Sequence, residues 1–436
     1  MGEKSDSLYR PEIDGLRAIA VLAVVLFHAG VPYIDGGFLG VDVFFVISGF
    51  LITAIIRREV AAGTFSVGSF YERRAKRIIP ALGVVLLACL PFAWLWMLPT
   101  ELEGFSESVV ATIFFVSNFF FWQGTDYFAT AGEVKPLLHT WSLAVEEQYY
   151  ALYPLFALGL LRFGSRVFAV GIVVALLMSL GFSEWAWRYA PDANFYLLPS
   201  RAWELLAGGL ATFVATSRSR YVNDLLAFLG LVTILAAIAL FGAATPFPSL
   251  WGLLPVAGTC LVLAFSSRSS VTGYVLSLPP LVLIGGLSYS LYLWHQPVFA
   301  FARIRLLGEP SWQMMVCLLA LCFLLSLLSW RLVENPVRAV QLKLPQMRTL
   351  FAASLVVLLL PSLLFSAGGI ATSGYIARVP AGQLEILGLA GESYRKQRAL
   401  DSNFQARRSC FADFNETAAK FTSACVPSSG RTGVMI

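Results

Sequence analysis

The residues of this chain that could do chemistry are a few polar side chains set in very apolar sequence. His28 is the sharpest of them. It lies about two-thirds of the way along an apolar helix expected over 16–33, behind a polar lead of Glu12, Asp14 and Arg17. A neutral imidazole is a competent general base near neutral pH, and an ionisable group inside a bilayer is a functional candidate by default. Arg17 and His28 are eleven residues apart. At about 100° and 1.5 Å per residue they share one helical face, separated by roughly 16 Å along the axis. Asp42 falls in the first turn of the next apolar segment, beyond a glycine-rich turn. From there it could meet His28 and orient or charge-stabilise it.

Other clusters follow. FYERRAKRIIPAL, residues 70–82, carries Arg73, Arg74 and Arg77. The i,i+4 pair Arg73 and Arg77 shares a face, and guanidinium forks suit phosphate groups. The plainer alternative is a basic patch on anionic lipid. LLHTWSLAVEEQYYALYP, residues 137–154, holds His139, Glu146 and Glu147. At most one of the adjacent glutamates should face a bundle interior; the other should meet headgroups or solvent. Arg201 and Glu204 have the i,i+3 spacing of an ion pair, His295 precedes a proline, and Glu334 ends an apolar segment. Each of these could instead be structural. There is no phosphate-cradling glycine loop and no nucleophile elbow. No cysteine spacing resembles a zinc site, and with three histidines in all no metal is expected. Basic runs interleaved with aromatics are missing from the tail, so nucleic acid is not supported.

The elements that must position these residues are membrane helices. The chain is 58% hydrophobic and 13% charged, with a mean hydropathy of +0.73, which implies an all-α polytopic membrane protein. Candidate spans fall near 16–33, 38–56, 78–98, 107–123, 142–161, 167–187, 201–216, 224–242, 250–266, 281–302, 312–333 and 350–367. The arginine-rich loops 57–77 and 331–349 should both be cytoplasmic by the positive-inside rule. That parity is met if 107–123 is re-entrant, leaving eleven crossings, a cytoplasmic N-terminus and no cleaved signal peptide. The polar tail from 368 would then lie outside, where a Cys410–Cys425 disulfide is permitted. The terminal GVMI reads as the start of a strand.

Taken together, seven blocks across 10–338 resemble the membrane-bound acyltransferase-3 family. They are RPEIDGLRAIAVLAVVLFHAG, GGFLGVDVFFVISGFLIT, FYERRAKRIIPAL, LLHTWSLAVEEQYYALYP, LPSRAWELLAGG, LSYSLYLWHQPV and LVENPVR. The family's arginine-to-histidine signature falls on Arg17 and His28, its Ser-Gly-Phe-Leu block on Ser48 to Leu51, and its arginine-rich stretch on Arg73, Arg74 and Arg77. The resemblance implies an acyltransferase membrane domain over 10–340, an additional helix at 350–367, and an external linker at 368–436 leading into an SGNH-type domain. No Gly-Asp-Ser nucleophile block follows GVMI. The resemblance also implies a multi-pass protein of the bacterial inner membrane with a periplasmic tail. Its donor would be acyl-CoA, usually acetyl-CoA, used as co-substrate with no bound cofactor. Its acceptor would be a surface glycan such as lipopolysaccharide O-antigen, or the lipid-linked glycan precursor. In that frame His28 deprotonates the acceptor hydroxyl or briefly carries the acyl group, while Arg17 or the 73–77 cluster binds the CoA phosphates and steadies the thioester oxyanion. The rival readings are a transporter or flippase with a His28–Asp42 proton relay, and a scaffold for the external domain.

Overall fold

In a computed structural model of the chain, residues 9–124, 130–217, 219–242, 244–339 and 345–380 are described, and among them every regular element is helical. Lipid offers no partner for backbone amides, so a chain this apolar pairs them within helices. The first half comprises α1 (Pro11–His28), α2 (Gly40–Ala61), α3 (Val67–Trp96), α4 (Pro99–Ile113), α5 (Ser117–Gly124), the single turn α6 (Thr130–Glu133), α7 (Thr140–Leu161) and α8 (Ser165–Tyr189). The second comprises α9 (Pro191–Tyr196), α10 (Leu198–Ala211), α11 (Arg220–Leu240), α12 (Leu253–Phe265), α13 (Val271–Leu276), α14 (Pro279–Leu306), α15 (Trp312–Ser329), α16 (Asn335–Ala339) and α17 (Pro345–Ala371).

Among the described residues, six stretches are long and apolar enough to cross a membrane: Gly37–Ala61, Val67–Trp96, Ser165–Tyr189, Arg220–Leu240, Trp312–Ala339 and Phe351–Ala371. The protein is a multi-pass membrane protein. α8, α11, α15 and α17 expose apolar side chains such as Val170, Leu229, Leu324 and Val357, as lipid-facing helices do. Helices α1, α7, α10, α12 and α14 were also expected among the eleven crossings, but they are too short or too polar to join those six. Of these, α1 carries Arg17 and His28, α7 Glu146, α10 Arg201 and α14 His295, while Asp42 and the arginines of 73–77 stand on α2 and α3. The segment expected at 107–123 is not one helix: α4 ends at Ile113, Phe115 takes a left-handed backbone with φ 53°, and α5 begins at Ser117.

Local sequence sets several ends differently from expectation. α1 begins at Pro11, whose ring suits a first helical turn, and stops at His28 because Gly30 takes φ +69°. His28 is therefore the last residue of its helix and not two-thirds along it. Ser66 caps α3 by accepting from the Ser69 amide, so the helix that carries Arg73, Arg74 and Arg77 starts at Val67, well ahead of the span expected from 78. After α15, Trp330–Glu334 form a π turn whose extra residue swings Glu334 inward, to 1% exposure. From Ile376 the chain belongs to a separate unit, of which the short turn Ile376–Arg378 is described. Cys410, Cys425 and GVMI lie outside the described residues. Cys89, Cys260, Cys317 and Cys322 are free thiols.

The contact that matters most for the site is between α1 and α14, whose backbones touch. A Cβ at Gly285 would fall 1.9 Å from the carbonyl oxygen of Asp14. A main-chain oxygen cannot rotate away, so Gly285→Ala should cost at least the roughly 1–3 kcal/mol typical of overpacking. We expect a lowered thermal midpoint of the detergent-solubilised protein by size exclusion. Gly286→Ala, where nothing lies within 4 Å, should leave the midpoint unchanged.

Candidate active site

All three histidines of the chain meet in one place. His28 Nδ1 lies 3.0 Å from His295 Nε2, with the rings 15° from parallel and their centroids 5.1 Å apart. His139, at the start of α7, packs edge-on against His295 at 5.4 Å and 68°. Tyr292, one turn before His295, sits against both rings, at 5.3 Å from His139 and 5.4 Å from His295. His295 and His139 are buried, whereas His28 keeps part of its surface exposed. Neither ring nitrogen of His139 has a hydrogen-bond partner. α14 also grips the main chain of its neighbour: Arg303 Nη2 donates to the His28 carbonyl at 3.0 Å. Arg303 is held in turn by Glu309 at 3.0 Å and Glu133 at 3.4 Å.

Beside this cluster runs a cleft whose empty space, open solvent included, comes to about 820 Å³. Arg17, Arg74 and Arg77 line one end, Ser48, Glu146 and Tyr150 the middle, and Ser142 and Tyr292 the floor. The hydroxyls of Ser48 and Tyr150 both donate to Glu146. Those of Ser142 and Tyr292 pair at 2.6 Å, and Tyr292 also donates to the His139 carbonyl at 2.9 Å. Tyr292 therefore lines the cavity and also packs on the rings of His139 and His295. Two stripes build the walls. On α7, Ser142, Glu146 and Tyr150 follow His139 at helical spacing, and on α14 Tyr289, Tyr292 and His295 do the same. That spacing is visible in the sequence and could have shown that these residues share faces.

The expected site residues divide. Arg17 and Arg74 reach the cavity with Arg77; Arg17 is also paired with Asp14 at 3.0 Å, and Arg74 Nε has no hydrogen-bond partner. Arg73 does not: although it is only about 40° of helix from Arg77, it is about 100° from Arg74, on the exposed edge of that face. It pairs there with Glu59 at 3.0 Å. Glu147 is partly exposed, with its Oε1 buried and without a hydrogen-bond partner. Glu334 accepts from Ser290 of α14 and pairs with Arg338 at 2.5 Å, away from the cavity. Among the described residues, no group of His, Cys, Asp and Glu could hold a metal ion.

Asp42 is the clearest correction. It does not orient His28. Its carboxylate lies 3.3 Å from Arg201 Nη2, and Arg201 Nη1 lies 3.2 Å from Glu204, so the expected Arg201–Glu204 pair is in fact a triad. All three are at most 1% exposed. The rings of Phe45, Trp141, Phe195 and Phe247 surround the guanidinium at 5.1–5.7 Å. Removing the cation strands two buried carboxylates. Arg201→Leu should therefore lose about 3–5 kcal/mol. Arg201→Lys should restore little of that, since an ammonium is a point charge and not a fork. Thermal unfolding of the purified protein would show both effects.

A helical membrane bundle with a cavity that is basic at one end and bounded by imidazoles at the other is the class of protein that this fold and site define. The profile described as an acyltransferase domain matches residues 10–331, and the chain belongs to that family, acyltransferase-3. It is similar to the peptidoglycan O-acetyltransferase OatA of Listeria monocytogenes, with 31% identity over 351 residues, covering 76% of this chain and 56% of the relative. It is also similar to the O-acetyltransferase OatA of Staphylococcus aureus, with 31% identity over 413 residues, covering 89% of this chain and 66% of the relative. The chain thus spans about 56–66% of the length of these relatives. No solved structure matches it.

Proposed function

We propose that this chain is a membrane O-acyltransferase that moves an acetyl group from acetyl-CoA to a hydroxyl of a cell-surface glycan. The observation that carries the reading is the cavity itself, which leads from three guanidinium groups to the wall of the imidazole cluster. Arg17, Arg74 and Arg77 would hold the donor's phosphates, and the unpartnered Nε of Arg74 is a free donor for them. The narrow remainder of the cavity would take the thioester arm down to Ser142 and Tyr292. Arg17 sits roughly 16 Å from His28 along the α1 axis. It therefore serves the phosphate end and not the thioester oxyanion.

The part of His28 that remains exposed would meet the acceptor. As the hydroxyl oxygen attacks the acetyl carbonyl carbon, His28 removes its proton. The carbon–sulfur bond breaks, and the proton passes from His28 to the departing thiolate. The basic helix ends would place the donor in the cytoplasm of a bacterial inner membrane, with the N-terminus on that side. Since one relative is named for peptidoglycan, a cell-wall glycan is a better acceptor than lipopolysaccharide O-antigen. A transporter using a His28–Asp42 relay lacks its second member, because Asp42 is bound to Arg201.

The test is mass spectrometry of surface glycans from cells with the intact gene, a His28→Ala variant, or neither. An added acetyl mass should require both the gene and His28, at unchanged protein levels. A glycan profile indifferent to the gene would sink the proposal. For the donor site, loss of a charge-assisted contact predicts a KM for acetyl-CoA raised roughly 10- to 100-fold in Arg74→Ala and in Arg77→Ala. Arg73→Ala, which pairs outside the cavity, should stay within about threefold.

A further inference from the structure

Away from the cleft that holds Ser48 and Tyr292, a second crevice opens where α2, α10 and α12 end and α8 begins. Its empty space, open solvent included, comes to about 1180 Å³. The end of one stretch able to cross a membrane, Gly37–Ala61, and the start of another, Ser165–Tyr189, both line it. The crevice therefore lies at the depth where hydrocarbon gives way to water, which is the depth of lipid phosphates. We propose that it seats an anionic phospholipid, with the phosphate on Arg57 and Arg58 and an acyl chain along the apolar wall. This needs only the membrane fold and does not rest on the transferase reading.

The charge of the crevice is unbalanced. Among the described residues, Arg10, Arg57 and Arg58 line it and no carboxylate does. Arg10 is already engaged: its Nε pairs with Glu12 at 2.8 Å, and its other nitrogens donate to the carbonyls of Leu263 and Ser266 at 3.0 and 3.2 Å. Arg57 is held without being neutralised. Its Nη1 donates to the Thr212 carbonyl at 2.7 Å and to the Thr212 hydroxyl at 2.9 Å, and its guanidinium lies 3.7 Å over the Phe213 ring. Those contacts fix the plane of the fork and leave the Nε and Nη2 hydrogens for a phosphate. Arg58, the next residue, is exposed at the same rim and adds a second positive charge. The rest of the lining is mostly apolar and includes Phe50, Val60, Leu161, Val214 and Leu263. A free phosphate would leave that wall bare to water, whereas an acyl chain covers it. A zwitterionic lipid brings its own ammonium to two guanidinium groups, so the site favours a headgroup of net negative charge.

The test is native mass spectrometry of the full chain in detergent, titrated with phosphatidylglycerol or with phosphatidylethanolamine. Wild type should bind phosphatidylglycerol with an apparent Kd at least about fivefold lower than phosphatidylethanolamine. Arg57→Gln combined with Arg58→Gln should weaken phosphatidylglycerol roughly tenfold or more and bring the two lipids within about threefold of each other. Ala54→Trp, which fills the crevice and leaves its charge alone, should weaken both lipids. Arg220→Gln combined with Arg268→Gln removes the same charge from exposed positions outside the crevice and should leave both within about threefold of wild type. Should the Arg57 and Arg58 pair fail to accumulate for want of the Thr212 bonds, Arg58→Gln alone replaces it, with about a threefold weakening expected. The proposal is overturned if phosphatidylglycerol binding survives the crevice variants, or if the Arg220 and Arg268 pair weakens it as much, which would make the attraction a property of the whole basic surface. Displacement of the lipid by excess CoA or inorganic phosphate would also overturn it, because the occupant would then be a soluble anion.

Discussion

The site depends on how closely α14 lies along α1. Lipid tails are as apolar as the helices they surround, so no hydrophobic gain draws two membrane helices together; close packing and hydrogen bonds must do it. Here the backbones meet at Gly285 and Asp14. Further along, in the same direction on both helices, His295 meets His28, and Arg303 takes the His28 carbonyl. These contacts, one at Asp14 and two at His28, fix the slide and the rotation of one helix against the other. A shift of one residue would turn His295 by about 100° and end its contact with His28.

The same parallel pairing explains the length of the cavity. Arg17 lies in the first half of α1 and His28 ends it, while Ser142, Glu146 and Tyr150 of α7, which follow His139, line the same cavity as Arg17. In the proposed function, a phosphate-bearing donor and a proton acceptor would be kept apart by a stretch of mostly apolar wall. Highly hydrated groups would stay near one mouth, while the bond to be broken would be carried to the other. Glu146 is the exception in the middle of that wall, and it is quieted by two hydroxyl donors, Ser48 and Tyr150.

Much of this could be read from the sequence, and what could not was of one kind. Polar residues in apolar sequence announce themselves, so His28, Arg17 and the arginine cluster were legible, as was the all-helical membrane fold. Partnership was not. Asp42 is close to His28 in sequence, but the turns at 29–39 place it on the face of α2 that meets α10, where Arg201 waits. Arg73 and Arg74 differ by one residue, and only knowledge of the neighbouring helices decides which of them faces the cavity. His139 and His295 each stood out alone, yet their convergence on His28 depends on contacts between distant helices that no local pattern encodes. The π turn before Glu334 was equally hidden, since it is one residue inserted into an otherwise regular apolar helix.

The buried triad of Asp42, Arg201 and Glu204 also constrains how such a chain can be made. α2 emerges from the ribosome with Asp42, and its counter-charge arrives only when α10 has been synthesised. An unpaired charge costs roughly 2.5–3.5 kcal/mol at a helix centre during insertion, and less near a helix end such as the first turn of α2 that holds Asp42. Until then α2 must be held in the bilayer by its apolar residues alone, and the bundle's interior can close only late. Divided between α7 and α8, the chain would become two fragments, one with an acid lacking its base and one with a base short of an acid, each completed by the other.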